Sequence, residues 1–215
     1  MGRAHAVDGE LVVWYSSPNP LDDPLEIASK GMFSRNLWMD AAGLRRGSLH
    51  LAWDDIEHYF YDLSDWRKRG DFILVAKAGT TLRVEPIFDH WSLAAERILG
   101  ALHPRLRAQR YYAPFAITGD HLERGGTRLA LADIAEVELA AVGYGVGLFV
   151  HPRTGREWDR IGFAEIANLW LFLEDLVAHG VAVRSELDFQ LPPPLFPLVA
   201  HMTAARQLPV AKLVT

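Results

Sequence analysis

A segment of sixteen residues occurs twice in this chain, 78 residues apart. Residues 44–59 read LRRGSLHLAWDDIEHY and residues 122–137 read LERGGTRLALADIAEV, and seven of the sixteen positions are identical in an alignment without gaps. Similarity at a fixed spacing is the signature of one structural unit used more than once. The repeat therefore predicts two copies of one fold, in which each element has a counterpart about one repeat length away.

Each copy of the repeat has the pattern of a β-hairpin followed by a corner. In the first copy, residues 46–48 (Arg-Gly-Ser) predict a tight turn, and apolar residues alternate with others over residues 49–53, as in a strand with one buried face. The hairpin is followed by Asp54 and Asp55, and Asp55 recurs as Asp133. We expect the chain to change direction there, with the carboxylate capping backbone N–H groups.

A second hairpin is predicted further along each copy. Residues 72–76 and 81–85 form it in the first copy, around Gly79. The predicted counterparts are residues 148–150 and 156–158, at a spacing of 76. This spacing implies a two-residue deletion before the second hairpin and a compensating insertion after it.

Both copies end in a segment with helical periodicity. Residues 89–102 and 167–180 have apolar side chains at helical spacing, and they align at the 78-residue repeat length. Asn168 is the predicted N-cap of the second helix and Gly180 its C-cap. Each unit is therefore predicted as several antiparallel strands closed by one helix.

These elements predict an α+β fold with two tandem units. Each unit is expected to be an antiparallel, strongly bent sheet or partly open barrel closed by a C-terminal helix. The predicted organisation is an N-terminal strand and linker (1–26), a first unit (27–104), a second unit (105–182) and a Pro-rich C-terminal tail packed on them (183–215).

Composition excludes several classes of function. The chain has 215 residues, 50% of them hydrophobic, which is enough for a sizeable core. Its net charge of −5 removes the general electrostatic attraction to nucleic acid, and the absence of cysteine excludes disulfides and thiolate chemistry. Neither a signal peptide nor a transmembrane segment is predicted, so we expect a cytoplasmic protein.

Short motifs resemble a family of bacterial pleckstrin-homology-like (PH-like) domains. Residues 129–137 (LALADIAEV) are similar to that family's apolar-x-Trp-x-Glu/Asp-Ile-x-x-apolar signature, and the first copy retains the tryptophan as Trp53. Residues 166–173 (IANLWLFL) resemble its entry to the last helix, and residues 9–11 (GEL) resemble its opening.

The resemblance covers roughly residues 9–180, and the chain departs from it at two positions. Leu131 stands where tryptophan is usual, and Ala167 stands where proline is usual. The resemblance implies six or seven short strands and one helix for each unit. It implies no catalytic residue, because PH-like domains bind lipids, peptides or proteins, or serve as scaffolds, and fold alone does not give function.

The strongest binding motif in the sequence is an aromatic residue beside three cations. Trp66, Arg67, Lys68 and Arg69 lie in a predicted loop between strands, where they would contact an anionic headgroup or an acidic partner. The alternative is a solvated loop that nearby carboxylates neutralise. Those carboxylates belong to Asp62, Asp65 and Asp71.

Two further patterns are better explained by structure than by chemistry. The glycine-rich run at residues 142–147 (VGYGVG) is followed by a predicted strand and not by the helix that a phosphate loop requires, so we expect a hairpin. Asp54, Asp55, His58 and His50 do not form a recognisable metal-ligand motif.

The seven tryptophans are interpreted mainly as core residues. Those assigned to core-facing positions are Trp53, Trp91, Trp158 and Trp170.

The predicted function is that of a non-enzymatic binding or adaptor protein, without catalytic residues, metal or cofactor. A protein partner is favoured, and peripheral recognition of anionic lipid through residues 66–69 is the alternative. An enzyme acting in a cleft between the units has no supporting motif. The oligomeric state is open, and edge-strand pairing through residues 148–150 is one route to a homodimer.

Overall fold

The structure is a computed structural model. It describes residues 3–7, 10–14, 24–28, 36–63, 70–85, 91–143, 145–185, 187 and 198, with residues 3–7, 10–14 and 92 described through secondary structure alone. Within these residues the chain is α+β, with mostly antiparallel sheets and two α-helices. The predicted fold class is confirmed at this level.

The first half contains nine strands in three antiparallel sheets, followed by a long helix, within the described residues. A hairpin comes first, then a four-stranded sheet, a 3-10 turn at Trp53–Asp55 and a three-stranded sheet. The elements are β1 (Arg3–Val7), β2 (Glu10–Trp14), β3 (Leu25–Ile27), β4 (Leu37–Met39), β5 (Gly43–Arg46), β6 (Leu49–Ala52), β7 (Ile56–Asp62), β8 (Asp71–Ala76), β9 (Thr81–Val84) and α1 (Trp91–Gln109).

The second half repeats the order that follows the opening hairpin, with three strands in place of the four-stranded sheet. A three-stranded meander leads through a 3-10 turn at Leu131–Asp133 into a second sheet and a shorter helix. The elements are β10 (Phe115–Thr118), β11 (His121–Arg124), β12 (Thr127–Ala130), β13 (Ile134–Val142), β14 (Gly145–Pro152), β15 (Asp159–Gly162), α2 (Leu169–Ala178) and β16 (Val183–Ser185).

Most equivalent elements of the two halves begin 78 residues apart, whereas β8 and β14 begin 74 residues apart. The 3-10 turns begin at Trp53 and Leu131, and the helices begin at Trp91 and Leu169. In the described part of the chain the strands form separate open sheets, and none closes into a barrel. The repeat found in the sequence is therefore a repeat of element order.

Helix α1 extends well past its predicted end at residue 102. It continues through Pro104 to Gln109, although proline lacks an N–H and usually ends a helix. Tertiary contacts explain the difference. Leu106 is fully buried, and the guanidinium of Arg105 donates hydrogen bonds to the backbone carbonyls of Trp53 and Ile56.

The second strand of the hairpin predicted at residues 148–150 and 156–158 lies three residues later than predicted. β15 occupies Asp159–Gly162, and Leu148 on β14 pairs with Ile161. The compensating insertion therefore lies inside the turn at residues 153–158 and not after the hairpin. Strand β15 thereby begins 78 residues after the start of β9.

Strand β14 is an interior strand of its sheet. The predicted route to a homodimer, in which residues 148–150 pair as an edge strand, is therefore wrong. Strand β14 pairs with β13 on one side and with β15 on the other. Among the described strands, the edges of this sheet are β15 and β16. The glycine-rich run lies at the β13–β14 hairpin, as predicted, with Gly143 at φ 60° in the turn.

In each half, a backbone hydrogen bond holds the corner at the 3-10 turn. The carbonyl of Asp55 accepts from the N–H of Lys77, and the carbonyl of Asp133 accepts from the N–H of Arg153. Both 3-10 turns lack a side-chain cap. The recurrence of this aspartate thus corresponds to a repeated backbone contact that fastens the corner to the second hairpin, and not to the predicted carboxylate cap.

The two halves share one hydrophobic core. Trp170 of α2 packs edge-on against Tyr61 of β7, with ring centroids 5.0 Å apart. Asn168 donates its backbone N–H to the carbonyl of Tyr59, and its side-chain Oδ1 accepts from the Tyr59 N–H at 3.1 Å. The predicted boundary between residues 104 and 105 lies inside α1.

Asn168 occupies the predicted N-cap position, but its side chain has a different role. Its backbone is left-handed, at φ 51°, and its side chain makes no capping bond to α2. Asparagine tolerates this conformation better than most residues. Its Nδ2 donates to the carbonyl of Tyr111, so the side chain joins β7 to the segment after α1.

Gly180 ends α2 as predicted. It has φ 81° and donates to the carbonyl of Val177, while Val181 donates to Leu176, as in a Schellman motif.

The first residues of the predicted tail form β16, which belongs to the same sheet as β13, β14 and β15. β16 pairs in parallel with β13, and Leu198 is buried in the shared core.

Candidate functional site

Four side chains form a row across the solvent face of the four-stranded sheet β3–β6. Glu26 on β3 lies opposite Trp38 on β4, Trp38 lies opposite Arg45 on β5, and Arg45 lies opposite His50 on β6. All four are exposed. We call Glu26, Trp38, Arg45 and His50 the outer row.

The strand periodicity fixes the direction of the outer row. Successive side chains of a strand point to opposite faces, so the neighbours of the row point inward. Five of the eight neighbours are apolar and at most 5% exposed, which anchors the sheet on the core: Ile27, Leu37, Met39, Leu44 and Leu51. The other three, Leu25, Arg46 and Leu49, are partly exposed.

Trp38 and Arg45 present an aromatic ring and a cation together. Trp38 is 39% exposed, one of three large hydrophobic side chains exposed to this degree in the described residues. The guanidinium carbon of Arg45 lies 5.6 Å from the centroid of the Trp38 ring, within the range of a cation–π interaction. The ring therefore holds the arginine at the surface without neutralising it.

Nearby carboxylates are engaged elsewhere. Glu26 accepts a hydrogen bond from the amide of Asn36 at 2.6 Å. Asp40 accepts from the backbone N–H groups of Ala42 and Gly43, at 2.8 and 3.1 Å. No carboxylate among the described residues forms an ion pair with Arg45. Its charge remains available.

A shallow cleft of about 150 Å³ adjoins the row. Pro24 and Trp38 contribute apolar surface to it, and Asp40, Arg45 and His50 contribute polar groups. Gly43 also lines it, and a Cβ there would lie 2.1 Å from the carbonyl oxygen of Leu51. Glycine at this position is therefore required by the close approach of β5 and β6, and it adds no side chain to the cleft.

The second unit carries a different row at the matching positions. Ala116, Glu123 and Arg128 stand 78 residues after Trp38, Arg45 and His50, and their strands pair in the same order. Glu123 and Arg128 form an ion pair at 3.3 Å. Position 121, which matches Gly43, is a histidine. The second row thus has no aromatic member and neutralises its own charge.

The residues predicted for binding, Trp66, Arg67, Lys68 and Arg69, lie outside the described residues. The lipid-binding hypothesis that rests on them stays a prediction.

The acidic and histidine residues near the first corner are not brought together as ligands. Within the described part of the chain, one group of three side chains could hold a metal ion. It consists of Glu136, Glu138 and His151, whose ligand atoms lie within 4.8 Å of one another. Arg184 of β16 approaches Glu136 at 3.1 Å and Glu138 at 2.9 Å. Because this guanidinium already sits between the two carboxylates, the group is best described as the ionic attachment of β16 to β13.

Most tryptophans assigned to the core lie there. Trp53, Trp91 and Trp170 are at most 7% exposed, and Trp158 packs partly buried against the core. Trp38 differs from them. The run Leu37-Trp38-Met39 contained the signal, because the middle residue of a strand with two buried neighbours must face outward.

No protein-family model matches this sequence, and no curated protein is significantly similar to it. In the described residues, no helix is both long and apolar enough to cross a membrane.

Proposed function

We propose that this protein is a non-enzymatic binding or adaptor protein built from two tandem PH-like units, and that its partner is a protein that docks on the outer row. The PH-like assignment is supported by the order of elements in each half: a meander sheet, a corner, a second meander sheet and a helix. It agrees with the resemblance of the sequence motifs.

The observation that carries the docking proposal is the exposed pair of Trp38 and Arg45. Tryptophan and arginine are the residues most enriched where protein interfaces concentrate their binding energy. Here they lie side by side on one face of a sheet, with a cleft next to them. The matching positions of the second unit lack both residues, so the scaffold alone does not demand them.

Affinity isolation of the tagged protein from its source tests the proposal. The wild-type chain is expected to retain a stoichiometric protein partner, and the double variant Trp38→Ala/Arg45→Glu is expected to retain at least about tenfold less, since loss of one interface hot spot of about 2 kcal/mol already exceeds tenfold. The matched control is Glu123→Gln/Arg128→Ala on the second row, which should retain the partner fully.

The fold of each variant is checked separately. Substitutions at exposed positions are expected to change the free energy of unfolding by less than about 1 kcal/mol. Equal retention of the partner by the wild type and the Trp38→Ala/Arg45→Glu variant would contradict docking on the outer row. Enrichment of anionic lipid without a protein partner would favour the alternative site at residues 66–69.

A further inference from the structure

From the geometry of the outer row we infer that its partner is an extended acidic segment, which places a carboxylate between Arg45 and His50 and an apolar side chain in the cleft beside Trp38. This inference rests on the proposed function and specifies the chemistry of the partner.

The Arg45 end of the row selects the partner's charge, because the nearby carboxylates of Glu26 and Asp40 already accept hydrogen bonds from groups of this chain. Arg45 is exposed, and no described carboxylate is paired with it. The imidazole of His50 lies on the adjacent strand, directly opposite Arg45. A carboxylate accepts hydrogen bonds from both groups and forms a charge-assisted bond with the guanidinium. An acidic segment therefore complements this end of the row.

The other end of the row selects an apolar neighbour. Trp38 and Pro24 contribute apolar surface to the cleft. An apolar side chain placed there removes ring surface of Trp38 from water, which favours association. The same contact keeps solvent away from the Trp38–Arg45 pair, whose interaction strengthens when it is desolvated.

The spacing of the row fits an extended chain. Neighbouring strands are about 4.8 Å apart, so the point midway between Arg45 and His50 lies about 7 Å from Trp38 across the sheet. Side chains on one face of an extended chain are also about 7 Å apart. One face of an extended segment therefore reaches both positions with residues i and i+2.

The second unit supplies the internal comparison. Its matching row places Glu123 where Arg45 stands, and this carboxylate is already paired with Arg128 at 3.3 Å. An acidic segment would meet a carboxylate there and no tryptophan. We therefore expect acidic segments to bind the first unit and not the second.

Three libraries of fluorescein-labelled decapeptides test the inference with the full-length protein. In each library apolar residues alternate with a second type: aspartate or glutamate, their amides, or lysine. Fluorescence anisotropy is expected to show that the carboxylate library binds about five- to tenfold more tightly than the amide library, because hydrogen bonds to charged groups are about twice as strong as neutral ones. The lysine library is expected to bind most weakly.

Variants assign the preference to the row. Arg45→Gln should abolish the preference for carboxylates over amides, whereas the matched control Glu123→Gln should leave it unchanged. Equal binding of the carboxylate and amide libraries, absence of binding by all three, or a preference that persists in Arg45→Gln would each overturn the inference. Binding to anionic vesicles in place of the carboxylate peptides would overturn it as well.

Failure of this inference is distinguishable from failure of the proposed function. If a stoichiometric partner is lost in the Trp38→Ala/Arg45→Glu variant while the peptides show no carboxylate preference, the docking surface stands and only the acidic chemistry is wrong. If no partner depends on the outer row, both are wrong.

Discussion

Replacing Trp170 with alanine is expected to lower the free energy of unfolding by about 3–5 kcal/mol, the usual cost of removing a buried tryptophan. Trp170 is fully buried. Its ring packs edge-on against Tyr61 at 5.0 Å and Phe163 at 6.2 Å. Truncation therefore leaves a cavity at the contact between the two halves. Urea denaturation followed by circular dichroism measures the effect.

A second readout tests whether the halves unfold together. Because Trp170 belongs to the second half and Tyr61 to the first, the variant should still unfold in a single transition at a lower urea concentration. Trp38→Ala is the matched control, and its exposed position predicts a loss below about 1 kcal/mol. A small loss in Trp170→Ala, or a second half that melts separately, would contradict a shared core.

If Trp170→Ala does not fold, Trp170→Phe provides the measurement. Phenylalanine keeps an apolar ring and leaves a smaller cavity, so the loss should be smaller and the protein should remain measurable.

The stability of the protein is expected to fall as the pH decreases from about 6.5 to about 4, through the titration of His103. Burial lowers the pKa of His103 to about 4, and the cation of Arg107 contributes to the same shift. The ring is 7% exposed and its Nε2 lies 2.8 Å from the hydroxyl oxygen of Tyr59. The folded protein thus holds the imidazole neutral, whereas the unfolded chain takes up a proton at about pH 6.5.

The sign follows from proton binding. Between the two pKa values the unfolded state binds more protons, so the free energy of unfolding rises with pH. The contribution of His103 is fully present above pH 6.5 and is lost toward pH 4, at about 1.4 kcal/mol per pH unit and about 3 kcal/mol in total.

Urea denaturation of the wild type and of His103→Gln, at several pH values, separates this contribution from that of other groups. Glutamine retains hydrogen-bonding capacity toward the Tyr59 hydroxyl but does not titrate. The variant should therefore show a shallower dependence on pH across this interval. Parallel curves for the two proteins would rule out His103 as the source of the acid sensitivity.

Local patterns in the sequence were sufficient for the repeated elements. The hairpin at residues 72–76 and 81–85 and the end of α2 at Gly180 depend on nearby residues, and the structure places them where expected. The sequence around Pro104 does not predict that α1 continues beyond this proline. The continuation depends on the burial of Leu106 and on Arg105 bonding to carbonyls that are far away in the sequence.

The outer row illustrates the same limit for the site. Its members come from four strands, and only the register of β3 to β6 places them side by side. Alternation in the sequence indicates that Trp38 faces outward, but it does not indicate that Arg45 lies opposite. Trp38 is not among the tryptophans that the sequence assigns to the core, but its sequence neighbours do not mark it as a binding residue either. The consecutive cations at residues 67–69 are visible in the sequence without knowledge of the fold.

The central claim is that the first unit binds a partner through the outer row and the second unit does not bind through its matching row. Photocrosslinking tests it most directly, with benzoylphenylalanine placed at position 38 in one protein and at position 116 in another. Since these positions are equivalent in the two units, each serves as the control for the other. We expect a crosslinked partner at position 38 and none at position 116. Crosslinking at position 116, with or without crosslinking at position 38, would contradict the claim, and so would crosslinking at neither position while a partner still co-purifies.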